Sequence, residues 1–469
     1  MSRGTHTEPR GTAGPQAART PRRRRRVLSS LLYAFDDVPT VSYYVILVCV
    51  LLLLGIGVLM VLSASAITSL RAGESPYGAF LNQARFALIG LVGMVIAMRL
   101  PVSLYRRFAF PFLLGTMFLQ LLVFVPGLGA AQGGNQNWLR LPVIGTMQPS
   151  EVVKLGLCLW LGAHLAGRIG RLTHWREVLW PGLVISAVAV GLVLLGHDMG
   201  TVIVLVALVA AIYWFAGLDV RWFLGALGAA AVALPVLVIS SQSRVARVLS
   251  FLGLGAADPS GTGFQSQHGL WALGTGGISG VGLGGSLEKW VPLPAAHNDF
   301  IFAIIGEELG LLGALLVLAL FACLGWAMLR LSMRHPDPFV RLATSGIMAW
   351  ILTQAFVNIG VVIGVLPVIG IPLPLVSAGG SALVSTLAAM GVVLAFARSE
   401  PGAPEALAAR KGTVRRSMAV LGRRASGGLA ASHGATAPGV AAPGVATHDA
   451  ATPRAAARAR TTSVGKDTP

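Results

Sequence analysis

One carboxylate stands where a polar, glycine-rich loop meets an apolar helix. Asp299 lies in the run LPAAHNDFIF (residues 293–302), and GEELG follows at residues 306–310. Ionisable groups are costly in hydrocarbon and usually face a polar interior or an interface, which makes Asp299 a candidate site residue. An acidic residue favoured only by the dipole at a helix N-terminus would have the same position. The residues leave both interpretations open.

Three further charged residues interrupt or begin apolar segments. Glu151 and Lys154 are spaced i,i+3, so they can pair on one face of a helix. A pair buried in a membrane helix is costly and indicates function, although structural neutralisation explains it equally well. Asp198, in the run GHDMG at residues 196–200, fits a helix cap and a site residue equally.

A glycine-rich run at residues 274–285, GTGGISGVGLGG, is a second kind of candidate. Its backbone N–H groups could face a phosphate, and Lys289, just after it, is a natural phosphate partner. A flexible loop has the same composition. No strand precedes the run within a βαβ unit, which excludes a dinucleotide-binding fingerprint.

The composition is that of a polytopic membrane protein. Hydrophobic residues make up 55% of the chain, only 12% of residues are charged, and the mean hydropathy is +0.74. Soluble domains have about 25% charged residues. Cys49, Cys158 and Cys323 all lie in apolar runs and are predicted to pack there, since their spacing matches neither a disulfide framework nor a metal site.

The net charge of +18 comes largely from the two ends of the chain. Eight arginines fall in the first 26 residues, and ten basic residues lie between residues 410 and 466. We expect disordered cytoplasmic tails at 1–41 and 399–469, because both are rich in small and polar residues and lack apolar faces. Basic tails beside membrane spans fit retention in the cytoplasm and contact with anionic lipids, so no nucleic-acid partner is predicted.

The membrane domain, 42–398, is predicted to be all-α. Apolar runs of about 20 residues give ten expected transmembrane helices: 42–66, 79–99, 107–126, 151–166, 180–196, 199–217, 222–240, 299–328, 342–364 and 381–398. Arginines collect in alternate loops, as the positive-inside rule requires for two cytoplasmic termini. The largest outer loop, 241–298 between helices 7 and 8, leads into Asp299.

The candidate residues converge on the outer face in this topology. Three acids, two lysines and two loop residues meet there: Glu151, Asp198, Asp299, Lys154, Lys289, Trp138 and Arg140. Such a polar site at a membrane surface suits an amphiphilic anion such as a lipid-linked diphosphate, whose tail stays in the bilayer while basic groups hold the diphosphate. Whether the lipid is moved or reacted stays open.

Several motifs in a fixed order resemble one known family. They are VLSAS at 61–65, NWLR at 137–140, QPSE at 148–151, DMGT at 198–201, GLG at 282–284, the motifs around Asp299, and GIPLPLVSAGGS at 370–381. On these motifs the chain is identified as a member of the SEDS proteins of shape, elongation, division and sporulation. The resemblance covers nearly all of residues 35–398, and it is stronger to the division member, of actinobacterial type, than to the elongation member.

The resemblance implies an enzyme that polymerises lipid II, the undecaprenyl-diphosphate-linked disaccharide-peptide, into peptidoglycan. Asp299 is the acid that the family treats as catalytic, here a general base. The implied substrate-binding residues are Trp138, Arg140, Glu151, Lys154, Asp198, Lys289 and His297. A class B penicillin-binding transpeptidase, other divisome proteins and enrichment at the division septum are also implied. No cofactor is implied with certainty, and a divalent cation stays possible; the alternatives are a lipid II flippase, an elongation-type polymerase and a scaffold whose tails recruit division proteins.

The chain departs from the family pattern at five positions. The usual residues are replaced by Ala295, Asn298, Asn137, His197 and Ala378. None of these replacements removes Asp299. They make the substrate contacts of the loop before Asp299 less secure than the role of the base.

Overall fold

The computed structural model describes residues 38–71, 77–132, 135–141, 145–170, 175–254, 262–288 and 298–409, together with residues 1, 75 and 172. The described part is built mainly of helices. They are α1 Val41–Arg71, α2 Gly78–Arg99, α3 Val102–Leu122, α4 Pro149–Ala166, α5 Trp175–Val178, α6 Val184–Leu195, α7 Met199–Phe215, α8 Val220–Ile239, α9 Gln242–Phe251, α10 Thr262–Gly276, α11 Ile301–Arg334, α12 Pro338–Val362 and α13 Gly380–Arg398. A π-helical segment, Leu179–Leu183, joins α5 to α6.

The all-α prediction is confirmed with one addition in 127–150, one of the expected outer loops. Three short strands, β1 Gly129–Gln132, β2 Asn135–Leu141 and β3 Gly145–Met147, form an antiparallel sheet in the order β1-β2-β3. The sheet ends next to α4, which begins at Pro149. It therefore presents the loop residues beside the first turn of α4.

Seven helical stretches of the described chain are long and apolar enough to cross a membrane, which confirms a multi-pass membrane protein. They are Val41–Ser65, Gly78–Arg99, Trp175–Leu195, Val220–Ile239, Ile301–Arg334, Pro338–Val362 and Gly380–Arg398. The other three expected spans correspond to α3, α4 and α7. Helix α7 has 17 residues, about 26 Å at 1.5 Å per residue, which is just short of a hydrocarbon core of about 30 Å. The count of ten stays a prediction.

The interior is formed by α12 packing against α4, α7 and α11, with α13 against α2 and α1. Trp350, Phe339 and Phe396 are among the largest fully buried side chains. Helix α8 is the exception, because no residue in it is buried by the rest of the chain. Cys49 and Cys158 are buried, as predicted, whereas Cys323 is exposed on the surface of α11.

The glycine-rich run does not form a phosphate cradle. Helix α11 is interrupted at Gly310 (φ 68°, ψ −166°), and the glycine-rich run packs against this break. Four backbone hydrogen bonds join the two segments: Val281 N to Glu307 O (3.0 Å), Gly282 N to Glu308 O (3.0 Å), Leu311 N to Gly277 O (2.9 Å) and Leu312 N to Ile278 O (3.3 Å). The N–H groups of Val281 and Gly282 are thus occupied by carbonyls, and the carbonyls of Gly277 and Ile278 accept from α11. The run is also not a loop throughout, because its first residues, 274–276, belong to α10, which ends at Gly276.

A buried ion pair lies where the expected tails meet the helices, near the start of α1 and after the end of α13. Arg330 Nη1 donates to Ser42 Oγ at 2.5 Å and lies 3.3 Å from Glu400 Oε1. Residues 403–409 are helical, and the rest of the expected tails, 2–37 and 410–469, lies outside the described residues. The pair therefore joins the start of α1, the end of α11 and the segment after α13.

Candidate functional site

Five of the predicted site residues line one cavity of about 440 Å³. They are Trp138, Glu151, Lys154, Asp198 and Asp299. Residues from three of the expected outer loops, 127–150, 241–298 and 365–380, also line this cavity. Residues far apart in the chain are thus brought together around one cavity.

Asp299 is held by hydrogen bonds to its own backbone and to that of its neighbour. Asn358 Nδ2 on α12 donates to Asp299 O at 2.8 Å and to Ile371 O at 2.7 Å. Ser377 Oγ donates to Asn298 O at 2.6 Å. The turn before α11 is therefore fixed to α12 and to the segment 371–377, and the Asp299 side chain lies in the cavity wall.

The surroundings of Asp299 alter its acidity. Burial raises the pKa of the Asp299 carboxyl to about 6, and the positive charge of Arg247 opposes that rise. Desolvation disfavours the charged form of a carboxyl, and a nearby cation favours it. Gly370, at φ +79°, lies next to the Asp299 carboxyl, and a Cβ added at this glycine would be 3.5 Å from Asp299 Oδ2. A carboxyl with a pKa near neutrality suits general-base chemistry.

Glu151 and Lys154 form the predicted pair. Lys154 Nζ lies 2.7 Å from Glu151 Oε1, and their side chains are 1% and 3% exposed. Lys154 Nζ also donates to Gln354 Oε1 at 3.0 Å and lies 4.7 Å from the ring centroid of Trp350. Gln354 Nε2 in turn donates to Pro372 O at 3.0 Å. The pair thus braces α4 against α12 and the 370–381 segment.

Asp198 is both a helix cap and a wall residue. Thr201 donates to it from its backbone N at 3.0 Å and from its hydroxyl at 2.8 Å. Asn137 Nδ2 and Gln148 Nε2 donate to Asp198 Oδ2 at 2.8 and 2.7 Å. Both carboxylate oxygens of Asp198 therefore accept hydrogen bonds, Oδ1 from the Thr201 backbone and Oδ2 from three side chains. Asp198 therefore joins the sheet, the start of α4 and the start of α7.

Three predicted residues are not brought into the cavity by the described structure. Arg140 is exposed and pairs with Thr146 across the sheet. It lies on the same strand, two residues and about 7 Å beyond Trp138, and it is not among the residues that line the cavity. Lys289 and His297 lie outside the described residues.

The cavity also contains residues that the sequence did not single out as site residues. Arg247 on α9, Gln265 on α10 and Gln354 on α12 line it. Gln354 could have been identified from the sequence, because a polar side chain inside an apolar helix indicates a site. Arg247 was harder to identify, because α9 falls in a stretch that the hydropathy pattern marks as a loop. Of the departures from the family pattern, Asn137, Asn298 and Ala378 line this cavity.

No cluster of three or more His, Cys, Asp or Glu side chains able to hold a metal ion occurs among residues with a described position. The three carboxylates of the cavity serve different contacts. Asp198 is saturated by four donors, and Glu151 pairs with Lys154. Asp299 is then the carboxyl that faces the cavity without such a partner in the described part of the chain.

Known proteins share both the sequence pattern and this architecture. The family model described as a cell cycle protein, of the FtsW, RodA and SpoVE type, matches residues 43–401. The chain belongs to the FtsW/RodA/SpoVE family. It is 40% identical to the probable peptidoglycan glycosyltransferase FtsW of Mycobacterium tuberculosis, over 87% of this chain and 76% of the relative. It is 36% identical to stage V sporulation protein E of Bacillus subtilis, over 75% and 96%.

Two solved structures of FtsW/RodA/SpoVE-like chains extend the likeness to the fold. The rod shape determining protein RodA of Thermus thermophilus matches with a TM-score of 0.57 and 27% identity, covering 76% of this chain and 96% of RodA. A chain from a study of polymerization and crosslinking by a peptidoglycan synthase complex matches with a TM-score of 0.63 and 27% identity, covering 76% and 98%. The resemblance inferred from the motifs is thereby confirmed.

Proposed function

We propose that this chain is a peptidoglycan glycosyltransferase in which the Asp299 carboxylate is the general base. One observation carries the assignment: Asp299 faces the 440 Å³ cavity from a turn fixed by Asn358 and Ser377. A fixed backbone keeps a base within reach of the proton that it removes, which geometry demands before acidity matters. The Mycobacterium tuberculosis relative, named above as a probable peptidoglycan glycosyltransferase, supports the reaction class.

The reaction joins two lipid II molecules. Asp299 takes the proton from the 4-hydroxyl of the acceptor GlcNAc, and the oxygen attacks the anomeric carbon of the donor MurNAc. The bond between that carbon and the diphosphate oxygen breaks, and undecaprenyl diphosphate leaves. Attack opposite the leaving group inverts the anomeric centre. One glycosidic bond forms, and the proton stays on Asp299 until water removes it.

The other carboxylates are better suited to positioning than to proton transfer. Glu151 is paired with Lys154, and Asp198 has four donors. Each such contact already occupies an oxygen of the carboxylate. We assign Glu151 and Asp198 the role of holding the cavity wall, with Trp138 as an amphipathic surface for the sugars.

The setting of the reaction follows from the topology predicted by the sequence and from the relatives. The tails lie in the cytoplasm, the cavity opens on the outer side, and the enzyme acts at the division septum with a class B transpeptidase. The arginine bias of the alternate loops supports the orientation. The structural likeness to a chain from a peptidoglycan synthase complex supports a crosslinking partner.

The test is reconstitution of the purified full chain in vesicles with lipid II, with and without a cognate transpeptidase. Glycan chains made by the wild type and lost in Asp299→Asn would support the polymerase. The competing function, a lipid II flippase, predicts movement of labelled lipid II across the bilayer without glycan synthesis. That result would replace the proposal.

A further inference from the structure

We propose that Arg247, with Arg244 one turn before it, binds the diphosphate of the lipid-linked donor in a second, smaller cavity beside Asp299. This inference rests on the proposed function and adds the residues that hold the leaving group. The second cavity measures about 170 Å³ and adjoins the 440 Å³ cavity, with which it shares Asn135, Arg247, Val368 and Ile369. Arg247 thus stands at the junction between the two.

The charges of the two cavities differ. The larger one is lined by the carboxylates of Glu151, Asp198 and Asp299, whereas the lining of the smaller one contains none among the described residues. Both Arg244 and Arg247 line the smaller cavity. A diphosphate is repelled by carboxylates and attracted by guanidinium groups. The smaller cavity is therefore the favourable place for the diphosphate, and the larger one for the sugars.

Lys154, the other cation of the larger cavity, is already engaged. Its ammonium lies 2.7 Å from Glu151 Oε1 and 3.0 Å from Gln354 Oε1, and its side chain is 1% exposed. Binding a diphosphate there would break a buried pair, which is costly. Lys154 is thus a brace, and the expectation that it holds the diphosphate is not supported by its contacts.

The two arginines have donors available. Within the described residues Arg247 has no ion pair with a carboxylate. Arg244 Nη1 donates to Leu237 O at 2.8 Å, which fixes one edge of a guanidinium that has five N–H donors. Guanidinium groups bind phosphate oxygens in a bidentate manner. Spaced i,i+3 on α9, the two side chains lie on one face of the helix.

The position of the smaller cavity also suits the lipid tail. Its wall includes Val238, near the end of α8, and Ser241, just after it, and α8 has no buried residue. A polyprenyl chain attached to a diphosphate in this cavity can lie along the apolar surface of α8, in the bilayer. Positive charge at Arg247 would then stabilise the negative charge that develops on the leaving diphosphate.

The test measures binding rather than turnover. Undecaprenyl diphosphate is titrated into the purified full chain in nanodiscs, with undecaprenyl monophosphate as the comparison ligand. We expect Arg247→Gln to raise the Kd for the diphosphate by about 10- to 100-fold, as for lost charge-assisted hydrogen bonds. The Kd of Arg247→Lys should lie between those of the wild type and Arg247→Gln, and Arg244→Gln should raise the Kd less than Arg247→Gln. The matched control is Arg221→Gln, an exposed arginine beside Asp219 at the other end of α8.

The outcomes separate this proposal from a structural role and from the proposed function. A Kd unchanged in both Arg247 variants overturns the proposal, whether or not their melting temperatures fall. Wild-type protein that does not distinguish the diphosphate from the monophosphate also overturns it. If Arg247→Gln unfolds, the charge-retaining Arg247→Lys decides. Asp299→Asn should bind the diphosphate like the wild type, so a failure of the base assignment would leave the Kd result standing.

Discussion

The ammonium of Lys154 and the carboxylate of Glu151 lie 2.7 Å apart with almost no exposure, one turn inside α4. Glu151 Oε2 has no hydrogen-bond partner among the described residues, so the ammonium is what compensates this buried charge. Lys154 also contacts Gln354 and Trp350 on α12. The pair therefore connects the helix that follows the sheet to the helix that fixes Asp299.

Removing one partner of this pair should destabilise the protein more than removing both. Lys154→Met and Glu151→Gln each leave a buried group without its partner, which costs roughly 3–5 kcal/mol for buried pairs. The double variant should melt at a higher temperature than the sum of the single effects predicts. Thermal unfolding in detergent measures all three. Single variants with wild-type melting temperatures would contradict the bracing role and restore Lys154 as a ligand-binding group.

Asp299→Asn should abolish polymerisation without destabilising the fold. The amide keeps the size of the side chain but cannot accept the proton, so the rate should fall by about 10²- to 10⁴-fold. The pKa of Asp299 is raised to about 6, so ionisation above that pH opposes folding. Asparagine, which is never charged, should leave the melting temperature at pH 7 equal or higher. Full glycan synthesis by the purified Asp299→Asn variant would contradict the assignment of Asp299 as the general base.

The pH dependence follows from the same carboxyl. Asp299 acts as a base only when ionised, so the rate at saturating lipid II should rise through about pH 6 and level off above it. Arg247 lowers the pKa of Asp299; Arg247→Gln should therefore move the midpoint of the rise to higher pH. Arg247→Lys keeps the charge and should move it less. Equal midpoints in the wild type and Arg247→Gln would show that the two groups do not interact.

Gly280 and Gly282 offer a matched test of the loop that enters the break in α11. Both have positive φ, +80° and +92°, but a Cβ at Gly280 would lie 2.1 Å from Glu308 O, whereas one at Gly282 would meet nothing within 4 Å. Gly280→Ala should strongly reduce folded protein, because backbone must move. Gly282→Ala should cost only the left-handed conformation, about 1–2 kcal/mol. Similar melting temperatures for the two variants would argue against the close packing.

The sequence identified residues of the cavity wall where a charge stands out against apolar surroundings. Asp299, Glu151, Lys154 and Asp198 all begin or interrupt apolar helices, where ionisable groups are costly. Arg247 was missed because the surrounding segment, 241–298, is polar enough to be taken for a loop although it contains α9 and α10. Hydropathy measures a preference for the bilayer and does not distinguish a helix that lies on the surface from a loop.

The glycine-rich run and the small sheet could not be predicted for a different reason. Strands β1 and β3 have only four and three residues, and β2, NQNWLRL, does not alternate strictly between apolar and polar residues. The run at 274–285 looks like an anion site because its donors seem free in the sequence. Two of them, the N–H groups of Val281 and Gly282, are occupied by the carbonyls of Glu307 and Glu308. Such pairing across the chain depends on the break at Gly310, which composition does not reveal.

The orientation in the membrane gives the last prediction. In a variant with Cys49, Cys158 and Cys323 replaced by alanine, a cysteine at Ser260 should react with an impermeant thiol reagent added to intact cells. A cysteine at Pro336, between α11 and α12, should react only after the membrane is opened, because the positive-inside rule predicts that the arginine-rich loops face the cytoplasm. Labelling of disrupted cells controls for accessibility. The reversed pattern would put Asp299 on the cytoplasmic side, where it could not act on lipid II that has already crossed the membrane, and would remove the basis for the proposed reaction.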